Sequence, residues 1–266
     1  MRIRLVRHAT FVVQLDGRTL LMDPMLGAAG EFMSFLDYSK KQVNPTVSLP
    51  AGLDLSSMLS QVDTAFVTHT HQDHFDKAAE EHLPKDLQIF CQPAAKDQRP
   101  DESDEAKLRD KGFSSVQPVE DHFRSDGVEV FRTAGQHGPD NRDGSGWPTG
   151  PVSGFVLRAH NEPSLYIAGD TIWCSEVEEA LDEHRPDIVI VNAGAAKDEG
   201  KDPALTMTKD DVARVCRHMP SATVIAVHME AIDHCPLRRK ELEDFIESVG
   251  LSGRVHIPAD GEDIEF

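Results

Sequence analysis

The stretch that most constrains this chain is Thr68-His69-Thr70-His71-Gln72-Asp73-His74-Phe75-Asp76, which follows the apolar run Ala65-Phe66-Val67. Alternate side chains of extended backbone point the same way, so His69 and His71, leaving a strand end, can converge on one ion. A turn after them can bring Asp73 and His74 to a second position close by. This cluster of imidazoles and a carboxylate offers nitrogen and oxygen rather than thiolate, which suits a borderline ion such as zinc. With 13 histidines in 266 residues, the pattern His-x-His-x-Asp-His is expected by chance roughly 0.003 times per chain. Imidazoles crowded together only to cap a polar turn would repel one another when protonated, with no cation to hold them neutral. The chemistry implied is hydrolysis, not structural stapling.

His69, His71, Asp73 and His74 resemble the signature of the metallo-β-lactamase superfamily of hydrolases. The resemblance implies a later His, Asp and His, each on a loop after a strand, and the chain offers candidates in that order. They are His137 in Ala134-Gly135-Gln136-His137-Gly138, Asp170 in Ile167-Ala168-Gly169-Asp170-Thr171, and His228 in Ile225-Ala226-Val227-His228-Met229. The likeness runs from Val6-Arg7-His8-Ala9-Thr10 and Leu21-Met22-Asp23-Pro24 to the strands after His228. It is closest to the cytosolic branch that includes ascorbate-6-phosphate lactonase and other metal-dependent hydrolases. It implies an α/β fold, the four-layer αββα sandwich, which the strand-rich, helix-punctuated pattern of each half also suggests.

On this resemblance His69, His71 and His137 hold one ion and Asp73, His74 and His228 a second, with Asp170 bridging. Two divalent ions, Zn2+ foremost with Mn2+ or Fe as alternatives, would share a water and bring its pKa toward neutrality. Asp73 is also the candidate catalytic residue, aiming the hydroxide. The expected substrate is a small ester, lactone or phosphate-bearing ester. Two other readings compete: an iron-dependent oxidoreductase on the same fold, and a metal-containing binding protein without turnover. The redox relatives carry Glu in place of His71 or lack part of the second ligand set. Zinc β-lactamases lack the Asp170 pattern, and glyoxalase II adds a C-terminal domain for which the 38 residues after His228 are too few.

The length suits one domain over residues 1–266. No apolar run reaches the roughly 18 residues of a membrane span, and Met1-Arg2-Ile3-Arg4 opens an alternating segment rather than a signal peptide. A cytoplasmic protein is expected. Cys91, Cys174, Cys216 and Cys235 show no Cys-x-x-Cys spacing and read as free thiols. A net charge of −19 argues against a nucleic-acid partner, since phosphate binding needs clustered Lys and Arg. The partner expected is a small molecule, and a homo-oligomer is compatible with the sequence.

Along the chain, Arg2 to Val6, Phe11 to Leu15 and Thr19 to Met22 read as strands, with Asp16-Gly17 as a hairpin turn. Asp23 fits two roles equally, a carboxylate orienting a ligand histidine or a turn-initiating Asp before Pro24. His8 fits the pocket rim or simply the strand connection, and reads as the latter. Residues 25–50 form a long loop whose Phe32, Phe35, Leu36 and Tyr38 suit a pocket wall, an oligomer contact or the core edge. Helices are expected over Leu53 to Leu59, Lys77 to Leu83, Glu102 to Lys111, Glu176 to His184, Thr208 to His218 and Leu237 to Val249. Gly135 and Gly138 let backbone crowd a ligand beside His137. Residues 139–151 have the composition of a mobile flap, with Arg142 and Trp147 as candidate substrate contacts. His234 is a further candidate for the pocket, and the remaining histidines lack ligand spacing.

Overall fold

The computed structural model describes residues 1–96, 98–142, 146 and 148–266. In the first half β1 (Arg2–Arg7), β2 (Thr10–Leu15) and β3 (Arg18–Met22) form an antiparallel meander. Asp16 and Gly17, both at positive φ, turn the second hairpin, as an Asp-Gly pair readily does. The chain then lays α1 (Leu55–Leu59), β4 (Thr64–Val67), α2 (Lys77–His82), β5 (Gln88–Cys91), α3 (Asp104–Asp110) and β6 (Val116–Pro118), whose strands extend β3 in parallel. Parallel neighbours need such crossovers because a tight turn can only reverse the chain.

The second half repeats the plan. The strands β7 (His122–Ser125), β8 (Val128–Ala134), β9 (Ser153–Arg158) and β10 (Leu165–Ile167) are antiparallel. Then α4 (Ser175–His184), β11 (Ile188–Asn192), α5 (Lys209–His218), β12 (Thr223–Val227), α6 (Arg239–Ser248) and β13 (Val255–His256) add parallel strands. Finally β14 (Asp263–Glu265) returns to pair with β1, giving two seven-stranded sheets.

Side-chain alternation makes the layers. Ile188 and Ile190 join Ile3, Leu5, Phe11, Phe66, Phe155 and Ile225 in the core between the sheets. Val189 and Val191, one residue out of phase, pack outward with Val177, Leu181, Val212, Val215 and Leu242 of α4, α5 and α6. On the opposite face Val67, Ile89 and Leu21 meet Ala78, Ala79 and Leu108 of α2 and α3. The αββα sandwich expected from the sequence is therefore the observed fold. Several helices begin a residue or two later than their apolar pattern suggests because the preceding polar residue serves as cap. Asp54, Asp76, Ser103 and Thr208 each accept a bond from a first-turn amide. Thr208 and Asp211 form a reciprocal capping box.

The topology fixes where function can sit. Strands β1, β3 and β4 run in one direction in the first sheet, and β8, β10, β11 and β12 do so in the second. The C-terminal ends of both sets meet at one rim, where the His228 amide donates to the His8 carbonyl at 2.9 Å and ties the sheets together.

Candidate metal centre

Each site side chain stands just past a strand end: His8 after β1, Asp23 after β3, His69 after β4, His137 after β8, Asp170 after β10 and His228 after β12. The His69–His74 segment turns back at once, with the Asp73-following amides of His74 and Phe75 both donating to the His71 carbonyl at 2.9 Å. His8, Asp23 and His228 all take positive φ, at 60°, 40° and 63°. Such backbone costs of order 1–3 kcal/mol per residue and persists where the surroundings force it, which is common at functional sites. A Cβ on Gly194 would stand 2.2 Å from the His228 carbonyl oxygen, so only glycine lets that backbone pass.

The structure brings together every metal-ligand candidate of the sequence. His69, His71 and His137 form one group whose donor atoms all fall within 4.8 Å of one another, and His8, Asp73, His74 and His228 form another. Asp170 stands between them. Its Oδ2 is 3.3 Å from His74 Nε2, 3.7 Å from His137 Nε2 and 3.9 Å from His69 Nε2. Its Oδ1 is 3.3 Å from His228 Nε2. Asp73 Oδ2 faces His228 Nε2 at 3.4 Å. All of these residues are buried except His71, which is exposed at the mouth of the cavity.

The outer partners fix orientation. His74 Nδ1 bonds to Asp23 Oδ2 at 2.9 Å, while the Thr68 amide and hydroxyl, each at 2.8 Å, hold the same carboxylate. Asp23 is thus more than a turn residue, since its carboxylate joins His74 to Thr68. His137 Nδ1 bonds to the Leu205 carbonyl at 3.0 Å, and Asn192 Nδ2 donates to Asp170 Oδ1 at 2.6 Å. These contacts set which nitrogen of each ring faces inward.

Electrostatics make the cluster a cation trap. Burial lowers the pKa of His69 and of His137. Burial also opposes charge on His74 and His228, but the carboxylates outweigh it: Asp170, Asp23 and Asp73 raise His74 to about 10, and Asp170 leads the same effect on His228. Reciprocally, Asp73 and Asp170 are buried yet held well below the carboxylate range by His74 and His228. His69 Nε2 lies 2.8 Å from His71 Nδ1 and His74 Nε2 lies 3.3 Å from His228 Nε2. Nitrogens this close, ringed by carboxylate oxygens, are the donor set that a divalent cation satisfies.

His8 sits in the connection between β1 and β2, the reading the sequence favoured, but it also takes the place at the site that the pocket-rim alternative allowed. It is not a bystander in the strand connection: it is fully buried, its Nε2 is 3.2 Å from Asp73 Oδ2, and its ring is 3.6 Å from that of His228 between centroids. It stands far in sequence from the other ligands, so spacing gave no sign of it. Its place in the Val6-Arg7-His8-Ala9-Thr10 stretch of the resemblance and its position just past a strand end, shared with His69 and His228, are the signals that point there. Arg142 stands outside the cavity wall. Its side chain is exposed, turns back to donate to the Gly146 carbonyl at 2.7 Å, and is not among the described residues that line the cavity. Trp147 falls outside the described residues.

The cavity over the cluster is bounded by His71, Asp73, His137 and Asp170 below and by Phe35, Tyr38, Leu205 and His234 around its walls. Phe35 and Tyr38 thus give the long 25–50 loop its place as a pocket wall, while Phe32 is buried beneath with Met25 and Leu205. Arg7, itself fully buried, clamps this loop by donating to the Met25, Gly27 and Val47 carbonyls at 3.1, 2.9 and 3.0 Å.

An αββα frame with eight His and Asp side chains converging at one rim defines a metallo-hydrolase. Residues 18–229 match the family model described as the Beta-lactamase superfamily domain. The chain is 35% identical over 269 residues, all of both chains, to the UPF0173 protein YddR of Bacillus subtilis. Two solved structures are similar throughout. One is a possible metal-dependent hydrolase from Veillonella parvula, at 32% identity and a TM-score of 0.90, covering 99% of this chain and 98% of that one. The other is an isothiocyanate hydrolase from Delia radicum gut bacteria, at 35% identity and a TM-score of 0.89, covering 100% and 99%. The chain belongs to the metallo-β-lactamase superfamily. It is a metal-dependent hydrolase.

Proposed function

We propose that the protein is a binuclear hydrolase that attacks an electrophilic carbon in a small, uncharged substrate, an isothiocyanate foremost. The observation that carries the binuclear reading is Asp170, whose Oδ2 faces His69, His74 and His137 while its Oδ1 faces His228. His69, His71 and His137 would hold one ion, and Asp73, His74 and His228 the other, with His8 behind Asp73 and His228. Two divalent ions, zinc by preference for this donor set, would supply an acidified water and polarise the substrate.

The chain's own residues do the remainder. Asp73 accepts a hydrogen bond from the attacking water and aims it, its carboxylate steadied by His8 Nε2 at 3.2 Å. Phe35, Tyr38, Pro148 and Leu205 take the organic group and exclude bulk water. Asp198 stands at the wall with the Tyr38 hydroxyl donating to it. Among the described residues lining the cavity there is no lysine or arginine, the side chains that bind phosphate by charge. This lining favours an uncharged substrate over the phosphate-bearing ester that sequence alone left open. The similarity to an isothiocyanate hydrolase over the full chain supports the same class.

The test is elemental analysis of the purified protein together with a panel of aryl and alkyl isothiocyanates, lactones, carboxylic esters and phosphoesters. Two equivalents of metal per chain and turnover of isothiocyanates well above phosphoesters are expected. Phosphoester turnover exceeding all uncharged substrates, or one equivalent of metal at full activity, would overturn the reading.

A further inference from the structure

His74, His137 and Asp170 are each held from behind by an oxygen or nitrogen group: the Asp23 carboxylate, the Leu205 carbonyl and the Asn192 amide. His228 has a sulfur instead. Its Nε2 faces inward, 3.3 Å from Asp170 Oδ1 and 3.4 Å from Asp73 Oδ2, and its Nδ1 meets Cys235 Sγ at 3.5 Å. A neutral imidazole carries one proton, so a ring that offers Nε2 to a cation holds that proton on Nδ1 and needs an acceptor there. Among the described residues the acceptor is the Cys235 sulfur.

The fold is shaped to deliver this sulfur. Cys235 is 3% exposed and takes part in no disulfide. Gly194, two residues past the end of β11, makes room for it: a Cβ there would stand 2.8 Å from Cys235 Sγ and 2.9 Å from its Cβ. A larger residue at 194 would push the thiol out of place, so the approach to His228 depends on that glycine. The Cys235 amide donates to the Ile232 carbonyl at 3.2 Å, and the Leu237 amide donates to the Gly194 carbonyl at 3.2 Å. The turn that carries the thiol is thereby closed and docked beside the strand end.

We infer that Cys235 is a positioning residue: its sulfur accepts a hydrogen bond from His228 Nδ1–H and holds Nε2 toward the ion shared with Asp73 and His74. The inference rests on the binuclear reading of the cluster. Outer partners of ligating imidazoles contribute about 10–100-fold to metal affinity, and sulfur is a weak acceptor, so the effect belongs at the lower end of that range. It falls on one ion, because the rings around the other have partners of their own, Thr68 for His69 and Leu205 for His137.

The test compares wild type, Cys235→Ser and Cys235→Ala as full-length protein loaded with zinc. Chelator competition gives the affinity of each bound equivalent, and ¹⁵N-histidine labelling gives the ring N–H signals by NMR. In Cys235→Ala one equivalent should bind about 10-fold more weakly and the other as in wild type. Cys235→Ser, which keeps an acceptor, should lose less. The His228 Nδ1–H signal should shift in both variants while those of His74 and His137 stay, a change that a residue merely filling space would not produce. Wild-type affinity for both equivalents in Cys235→Ala, equal weakening of the two ions, equal losses in serine and alanine, or an unmoved His228 signal would each overturn the assignment. If the wild type binds a single ion, the binuclear reading falls by itself. The Cys235 assignment then stands where alanine weakens that ion more than serine does, and falls where the two variants match.

Discussion

The two halves of the molecule are wired alike but supply the site in different ways. Each is an antiparallel run followed by parallel strands with helical crossovers, and each sends the C-terminal ends of its strands to the same rim. The first half concentrates His69, His71, Asp73 and His74 in one strand-end turn. The second half spreads His137, Asp170 and His228 over three separate strand ends. A dense local cluster needs little but one turn to form, whereas the dispersed set exists only when the second sheet is packed in register against the first. The difference teaches that one half contributes a motif and the other contributes a geometry.

The strongest way to break this comparison is to remove a donor from each half. His74→Ala and Asp170→Ala should each abolish bound metal at one position and cut kcat/KM roughly a thousandfold or more, since metal catalysis supplies several kcal/mol of transition-state stabilisation. Full metal content in either variant, read by elemental analysis, would sink the ligand assignment.

Next come the residues that only orient donors, Asp23 for His74 in the first half and Asn192 for Asp170 in the second. Asp23→Ala and Asn192→Ala should weaken metal binding by about 10–100-fold without global unfolding. The larger loss is expected at Asp23, where a charged partner is removed. Competition against a metal chelator measures this, and equal wild-type affinity in both variants would refute the orienting role.

A pH experiment sharpens the contrast between metal-free and loaded protein. With His74 raised to about 10 by the surrounding carboxylates, its protonation stabilises the metal-free fold fully below an unfolded-state value of about 6.5. That contribution disappears as pH rises through about 10, so the Tm of the metal-free protein should decline over this range. The loaded protein, in which a cation replaces the proton, should lack that decline, and metal uptake at neutral pH should release protons. Proton release is read by calorimetry in buffers of different ionisation enthalpy, and its absence would contradict the cation-trap picture.

The smallest effect lies far from the rim, where β14 closes the first sheet. Asp263 pairs with Arg2 and Arg4 at the β1 edge, and these bonds depress its pKa to about 2. A depressed carboxylate stabilises above its unfolded value near 3.9 and loses that contribution as pH falls toward 2. Because the pair is partly exposed, Asp263→Asn should cost only about 0.5–1 kcal/mol at pH 7 and leave metal content and turnover unchanged. Denaturant unfolding at pH 7 and pH 2.5 should show the difference shrinking at the lower pH.

Much of this was legible in the chain. The order of strands and helices follows from alternation and from caps such as Thr208 with Asp211, which are local and therefore visible in sequence. The His69–His74 cluster is local too, and its resemblance to a known signature carried His137, Asp170 and His228 with it. His8 was only partly legible: the stretch Val6-Arg7-His8-Ala9-Thr10 shares in the resemblance, but His8 reaches Asp73 only when β1 and β4 lie in one sheet and His228 arrives from the other. For Arg142, composition tells that the loop is polar but not which way a side chain turns, and only the structure shows it donating to the Gly146 carbonyl. What the sequence determined by itself is whatever depends on neighbours within a turn or two: element type, capping, and the histidine cluster. What the tertiary structure decided is everything that requires two sheets to meet: the bridging stance of Asp170, the place of His8, and the Phe35 and His234 walls of the cavity. Those distances are set by packing across the sandwich core, which no short stretch of chain contains.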